Sequence, residues 1–292
     1  MSESIIADFV GSFNSEQSAR AEPVKGRILL SQKRLVLASD EGKTQIPLSS
    51  IYDVAVGHVP DELGGFFNST VTVAFERNDR RFVAAIEADD SETIEKFNTV
   101  LFKAILNGTE STVKHPARIG GRVTGAEFTP AKLFLKPREI EFRRQEDDFK
   151  IHLATVTGFE RLSREIAGSE RPVLAVKYNP NGQSLLSLVA LPSPRKMNIL
   201  GRYLRREYRE VMDDIQDIEL SKDEKEMLVA IYSTGDMEGL PLASILNKEA
   251  SEVELLRKQM EGKGLVVDGE DGLQLTPAGR VVVNNHLEDV NQ

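Results

Sequence analysis

Histidine is the first residue type to consider for chemistry in this chain of 292 residues, which contains four histidines and no cysteine. The four are His58, His115, His152 and His286. They lie far apart in the sequence, and none has a second histidine or a carboxylate at the spacing of a metal-binding motif. The absence of cysteine excludes disulfides, thiolate catalysis and cysteine-ligated metals. We therefore predict no metal site.

Three other patterns have the residue types of a catalytic or phosphate-binding site. Ser111 and Lys114 have the spacing of a serine nucleophile and a lysine base, but no helical periodicity surrounds them. Gly64-Gly65 and Gly120-Gly121 do not stand between a strand and a helix, as a phosphate-binding loop requires. Acidic pairs occur at predicted turns and helix edges, where aspartate is usually a cap or a solvated residue; they are Asp89-Asp90, Asp147-Asp148 and Asp213-Asp214. We predict that the chain is not an enzyme and binds no cofactor.

A group of basic residues follows Pro192-Ser193-Pro194, on a long predicted helix. Its members are Arg195, Lys196, Arg202, Arg205, Arg206 and Arg209. One interpretation is a solvated helix face that Glu207 and Glu210 balance. The other is a positive stripe that binds an acidic partner or anionic lipid head groups. On the second interpretation, the partner-binding residues are Arg195, Arg202, Arg205, Arg206 and Arg209, and reversing the charge of Arg202, Arg206 and Arg209 should slow association.

Composition indicates a folded chain without a membrane span. Apolar residues make up 40% of the sequence, and the net charge is -9. No apolar stretch approaches the roughly 18 residues that cross a bilayer, and the first ten residues do not resemble a signal peptide. We expect a soluble, cytoplasmic protein with no membrane insertion.

The elements that must position these residues are written twice along the chain. Gly26-Arg27-Ile28 and Gly121-Arg122-Val123 open two stretches of similar layout. The apolar positions of the first are Leu35 to Leu37, then Ile46, Leu48, Ile51 and Val54, then Val71, Val73 and Phe75. Those of the second are Leu133 to Leu135, then Ile151, Leu153, Val156 and Phe159, then Leu174, Val176 and Tyr178. This order predicts two tandem domains, residues 1–109 and 110–219, followed by a third at 220–292.

Each copy reads as short strands with tight turns and one closing helix, so the fold class is α+β. In the first copy, Asp90 or Ser91 caps a helix that ends at Asn107-Gly108. In the second, Pro194 occupies the first turn of the long helix, which we expect to be long enough to contact a second subunit in a homodimer. Thr109 to Arg118 reads as a linker. This layout resembles that of pleckstrin-homology-like domains.

The last 72 residues have a different character. A capping box at Ser221 to Glu224 begins one helix, Leu240 to Leu246 forms a second, and Ser251 caps a third. A hairpin follows, with strands at Leu265 to Val267 and Leu273 to Leu275 and a turn at Asp268 to Gly272. This order resembles a winged helix-turn-helix domain, as do the strings Lys263-Gly264-Leu265-Val266 and Leu275-Thr276-Pro277-Ala278-Gly279-Arg280. From residue 221 on there are 7 basic and 14 acidic side chains, a net charge of -7, which disfavours binding to nucleic acid.

The whole chain resembles the archaeal taxis proteins of the CheF family. The resemblance rests on the three-domain architecture and on the strings Gly26-Arg27-Ile28-Leu29-Leu30 and Arg34-Leu35-Val36-Leu37. It implies a non-enzymatic adaptor that binds the response regulator CheY and archaellum accessory proteins and passes the switching signal to the motor. Two alternatives remain: a winged-helix transcription regulator on DNA, and a peripheral adaptor on anionic lipid.

Overall fold

The structure, a computed structural model, describes residues 3–18, 21–60, 63–66, 69–180, 183–234, 242–269, 272–276 and 278–283. It is α+β, as predicted, with two large antiparallel sheets, the five helices named below, and helical backbone at 278–283 among the described residues. His286, Pro277, the first two residues of the predicted helix Leu240 to Leu246, and residues 270–271 of the predicted turn Asp268 to Gly272 lie outside these ranges.

The first sheet has seven strands, in the spatial order β4-β3-β2-β1-β7-β6-β5. Strand β1, for which the sequence pattern gave no clear assignment, lies at its centre and pairs with both β2 and β7. The strands are β1 (Ile5–Ser15), β2 (Val24–Ser31), β3 (Arg34–Ser39), β4 (Gly42–Pro47), β5 (Ile51–Val56), β6 (Thr70–Arg77) and β7 (Arg80–Ala88).

The second sheet repeats that order strand for strand, as β12-β11-β10-β8-β15-β14-β13, with β9 as an addition beside β8. Its strands are β8 (Thr109–Ile119), β9 (Arg122–Val123), β10 (Thr129–Lys136), β11 (Glu139–Arg143), β12 (Phe149–His152), β13 (Val156–Ile166), β14 (Ser169–Tyr178) and β15 (Leu185–Ala190). The segment predicted as a linker, Thr109 to Arg118, is therefore the central strand of this sheet, and that prediction was wrong. Its buried side chains include Thr109 and Ser111, which hid the apolar alternation of a strand.

The strand pairing confirms the later part of the predicted alignment between the two copies and corrects its first part. Ile46, Ile51 and Val71 do have Ile151, Val156 and Leu174 at the same places in the second sheet. However, Leu35 to Leu37 lie in β3 whereas Leu133 to Leu135 lie in β10, the equivalent of β2. The two Gly-Arg strings are not equivalent either, since one lies in β2 and the other at the turn into β9. The first part of the alignment was one strand out of step.

The two glycines of those strings have different tasks. Gly26 pairs with Gly11 across β1 and β2, and a Cβ at Gly26 would lie 2.3 Å from the Ala38 carbonyl oxygen. Gly121 instead has a positive φ of 81°, in a turn with open space around it. Gly26 therefore allows β2 and β3 to approach each other closely, whereas Gly121 allows a backbone conformation that other residues rarely adopt.

One helix closes each sheet. Helix α1 (Ser91–Leu106) begins at Asp90, whose carboxylate accepts a hydrogen bond from the Thr93 amide, as predicted. Helix α2 (Pro194–Gln216) has Ser193 as its N-cap and Pro194 in its first turn. Buried residues from both sheets and both helices form one continuous apolar cluster. The two copies therefore share a core.

The C-terminal segment contains three helices followed by a two-stranded hairpin, the order that the sequence predicts. They are α3 (Lys222–Thr234), α4 (Leu242–Leu246), α5 (Ala250–Gly262), β16 (Val266–Gly269) and β17 (Gly272–Leu275). Ser221 and Glu224 form the predicted capping box. Helix α5 begins two residues earlier than predicted, with Glu249 rather than Ser251 as its cap, because the Glu252 carboxylate accepts from the Glu249 amide at 3.0 Å.

Candidate functional site

Helix α2, which carries the predicted basic stripe, lies between the two copies. Tyr203 on α2 packs against Phe102 on α1 with ring centroids 5.5 Å apart, and both side chains are buried. The Arg206 guanidinium lies 5.7 Å from the centre of the same Phe102 ring. Much of the α2 surface that does not pack on its own sheet therefore faces the first copy and not solvent.

Two of the five predicted arginines form ion pairs with carboxylates of the first copy. Arg195 donates to the Ser49 carbonyl oxygen at 2.6 Å and pairs with the Glu76 carboxylate at 3.2 Å. Arg202 makes a two-point contact with Asp53 on β5, at 3.0 and 2.8 Å. These residues join the copies, a role that the sequence pattern did not indicate.

Arg206 has contacts on both copies. It donates to Thr99 on α1 at 3.1 Å and pairs with Glu207 and Glu210 at 2.6 and 3.2 Å. Burial raises the pKa of Glu210 and the positive charge of Arg206 opposes that rise. Glu207 and Glu210 therefore balance the charge of Arg206, as the first interpretation of the stripe predicts.

Arg205 and Arg209 are both exposed, and no carboxylate of the described chain is within ion-pair distance of either. They lie one helical turn apart and line a cleft of about 460 Å³ against β5, together with Val56 and His58. These two residues are the part of the predicted stripe that is available to an acidic partner.

A second cleft, of about 510 Å³, lies on the other side of Arg205. Its apolar lining includes Phe159, Leu174 and Leu204, and Arg161 of β13 stands at its rim. The Arg161 guanidinium donates to the Asn198 side chain at 3.1 Å. Sequence reasoning missed Arg161 and Asp53, because neither belongs to a motif and each acquires its role from packing against α2.

The residues first considered for catalysis have structural contacts. His115 is stacked on Phe149 at 3.7 Å, and its Nδ1 lies 2.7 Å from Ser187 Oγ and 3.2 Å from the Tyr178 hydroxyl. Burial, and then the charge of Arg144, lowers the pKa of His115 to about 4. Ser111 donates to the Ala131 carbonyl oxygen at 2.9 Å, and in strand β8 it points away from Lys114, three positions on.

No group of three or more histidine, aspartate or glutamate side chains in the described ranges is placed to hold a metal ion. None of the helices described is both long and apolar enough to span a bilayer.

The basic side chains of α5 and the turn after it contact carboxylates. Arg257 pairs with Glu254, Glu261 and Asp268 at 2.6 to 2.8 Å. Arg257 and Lys258 together lower the pKa of Glu254 to about 2. Lys263 contacts Glu224 at 2.7 Å. The positive charge in this part of the chain is therefore neutralised by neighbouring residues.

Comparisons with known proteins give consistent results. The family model for the archaeal chemotaxis signal transduction system protein F matches residues 5–210. The chain is 43% identical to the taxis protein CheF2 of Halobacterium salinarum over 291 residues, which span the full length of both proteins. It is 30% identical to the taxis protein CheF1 of the same organism over 265 residues, 89% of this chain and 88% of that protein.

Proposed function

Since the chain belongs to the archaeal CheF family of chemotaxis signal transduction proteins, as its sequence suggests, we propose that it is a non-enzymatic adaptor. It binds the response regulator CheY and archaellum accessory proteins, and so passes the switching signal to the motor. The similarity to two proteins named as taxis proteins, over the full length of one and 88% of the other, carries this proposal.

The architecture supports a protein that is built for contacts. Two sheets of the same strand order, each closed by a helix, are consistent with two pleckstrin-homology-like units. Three helices and a hairpin at the C-terminus are consistent with a winged helix. In that unit the pairing of Arg257, Lys258 and Lys263 with carboxylates favours a protein partner over nucleic acid, because phosphate binding needs a free basic face.

Arg205 and Arg209 are the residues that we assign to electrostatic contact with the response regulator. Its acidic phosphorylation face would meet these two exposed guanidinium groups, while Arg195, Arg202 and Arg206 hold the copies together. Phosphorylation changes the bound fraction to the extent that it changes affinity. Charge reversal at the contact should act mainly on the association rate.

The experiment is a titration of the purified full chain with CheY, with and without beryllofluoride as a phosphoryl mimic. We expect tighter binding with beryllofluoride, and a slower association rate in the double variant Arg205→Glu/Arg209→Glu. The matched control is Arg122→Glu/Arg164→Glu, which changes the same charge at two exposed arginines elsewhere on the second copy. If CheY does not bind in either state, the adaptor proposal is wrong. Equal rates in the two double variants would contradict the assignment of Arg205 and Arg209.

A further inference from the structure

Helices α1 and α2 occupy equivalent places in the two copies, and their N-caps Asp90 and Ser193 align them residue by residue. This alignment matches Asn98, Phe102 and Leu106 on α1 with Gly201, Arg205 and Arg209 on α2. The three residues on α1 are buried. On α2, Arg205 and Arg209 are exposed and Gly201 is only half-buried. The same helix face is therefore covered in one copy and open in the other.

Helix α2 is what covers Phe102 in the first copy. It packs along β5 and beside α1, so it lies in the groove between the edge strand and the closing helix. The equivalent groove of the second copy lies between β13 and α2. We call this the β13–α2 groove, and define it by residues of the second cleft: Phe159, Arg161, Leu174, Asn198, Gly201, Leu204 and Arg205.

The groove is open because tandem copies that pack head to tail leave one site unmatched. In the described structure the β13 edge pairs with β14 alone. The floor of the groove is apolar, at Phe159, Leu174 and Leu204, and the exposed side chains of Arg161 and Arg205 stand at its rim. Asp53 of β5 also lines this cleft, but the two-point ion pair with Arg202 balances its charge. An apolar floor with a basic rim selects an occupant that has apolar and acidic side chains on one surface.

Gly201 provides an independent indication of an occupant. It lies in the middle of α2, where a glycine costs about 1 kcal/mol relative to alanine. A Cβ built at Gly201 meets nothing within 4 Å, so the fold as described does not need a glycine there. Since Gly201 lines the groove, its missing side chain leaves room for close approach by another polypeptide.

We propose that the β13–α2 groove binds an acidic amphipathic helix of a protein partner, in the way that α2 lies in the corresponding groove of the first copy. The first copy shows that this kind of groove accepts a helix. There, arginines on the bound helix meet the acidic wall residues Asp53 and Glu76. In the second copy the groove itself carries the basic side chains, Arg161 and Arg205. A helix that binds there must therefore be acidic.

This inference rests on the proposed adaptor function in taking the occupant to be a protein. Cross-linking tests it directly. The full chain carrying benzoylphenylalanine in place of exposed Asn198 is irradiated in an extract of the source cells, and the linked peptide is identified by mass spectrometry. We expect one partner segment, acidic and with apolar residues at helical spacing. The control carries the same group at Arg164, on the other face of β13, and should not link to that segment. Linkage to basic or extended segments, to this chain itself, or to nothing would overturn the proposal.

Substitutions in the groove supply the second test, with the cross-linked partner and with CheY and the accessory proteins as titrants. Gly201→Leu places a side chain in the groove at a position where a Cβ meets nothing within 4 Å, and should lower the affinity of the partner that binds there by about tenfold or more. Arg161→Glu should lower it to a similar extent, whereas Arg164→Glu should not. Thermal unfolding should show that Gly201→Leu folds normally. If CheY or an accessory protein binds and no affinity changes in Gly201→Leu, the groove proposal fails and the adaptor function stands. If none of these proteins binds the unaltered chain, both fail.

Discussion

Arg202 on α2 and Asp53 on β5 form a two-point ion pair between residues 149 positions apart in the chain, with Nε to Oδ1 at 3.0 Å and Nη2 to Oδ2 at 2.8 Å. The pair lies beside the Phe102 and Tyr203 contact that joins α1 to α2. The helix that closes the second copy is thus also a docking element for the first. A basic residue on this helix can therefore either join the two copies, as Arg202 does, or remain exposed, as Arg205 does.

The Arg202 and Asp53 pair should contribute a small, salt-sensitive coupling to stability. The two side chains are 49% and 31% exposed, so solvent screening limits the coupling energy to about 0.2–1 kcal/mol. A double-mutant cycle with Arg202→Ala and Asp53→Ala, followed by urea unfolding at low and high salt, measures it. The more exposed pair of Lys25 and Asp89, at 3.1 Å, is the control. A coupling for that control as large as for Arg202 and Asp53 would contradict the prediction.

Alanine should have opposite effects at two glycines. Gly26→Ala should destabilise the protein by about 1–3 kcal/mol because its Cβ would overlap the Ala38 carbonyl oxygen and the Phe13 ring, at 2.3 and 2.8 Å. Gly201→Ala should stabilise it by about 0.5–1 kcal/mol, since it meets no neighbour and favours the helix. Thermal and urea unfolding of both variants give the comparison. Equal effects would mean that close approach at β2 and β3 is not what requires Gly26.

His115 should make stability depend on pH between about 4 and 6.5. Burial lowers its pKa in the folded protein to about 4, whereas an unfolded histidine titrates near 6.5. The unfolded state therefore takes up the proton first as pH falls, so stability is complete above about 6.5 and is lost progressively toward 4. His115→Gln should lower stability at pH 7 and flatten its slope in this range. The unfolding free energies of both proteins at several pH values test this; parallel curves would contradict it.

Lys263 should contribute more to the stability of the protein than other lysines of the C-terminal segment do. Its Nζ lies 2.7 Å from the Glu224 carboxylate, whose side chain is only 5% exposed, and 2.7 Å from the Glu219 carbonyl oxygen. Burial raises the pKa of Glu224, but hydrogen bonds from Lys263 and Ser221 outweigh it and lower that pKa overall. Lys263→Met should therefore cost about 1–3 kcal/mol, since a buried carboxylate loses its cation.

The matched control for Lys263 is Lys222→Met, because Lys222 contacts Glu226 at 3.6 Å with both side chains exposed. It should change stability by less than about 0.5 kcal/mol. The contribution of ionised Glu224 is present above about pH 4.5 and is lost as pH falls through its lowered pKa, and Lys263→Met should reduce this loss. If urea unfolding shows that both lysine variants lower the free energy of unfolding by similar amounts, the pair of Lys263 with buried Glu224 contributes no more than an exposed pair, and the prediction is wrong.

Strand pairing shows why the internal repeat was found but aligned incorrectly at its start. Ile28 and Leu37 face each other in the first sheet, and Leu133 and Phe142 do so in the second. Adjacent strands of an antiparallel sheet have the same two-residue alternation, so Leu133 resembles a β3 residue as closely as a β2 residue. The closing helices avoided this ambiguity, because the caps at Asp90 and Ser193 mark a single start for each.

Periodicity, helix caps and charge are local features, and the sequence alone contains them. They determined that the chain is α+β, that it repeats a sheet and a helix, and that it ends in three helices and a hairpin. The similarity to CheF proteins was also evident there. The tertiary structure alone decided which arginines of α2 are free. Arg202 and Arg205 are three residues apart with the same charge, and only the placement of β5 beside Arg202 distinguishes them. The availability of a side chain is set by contacts between segments that are distant in sequence, and no local pattern records those contacts.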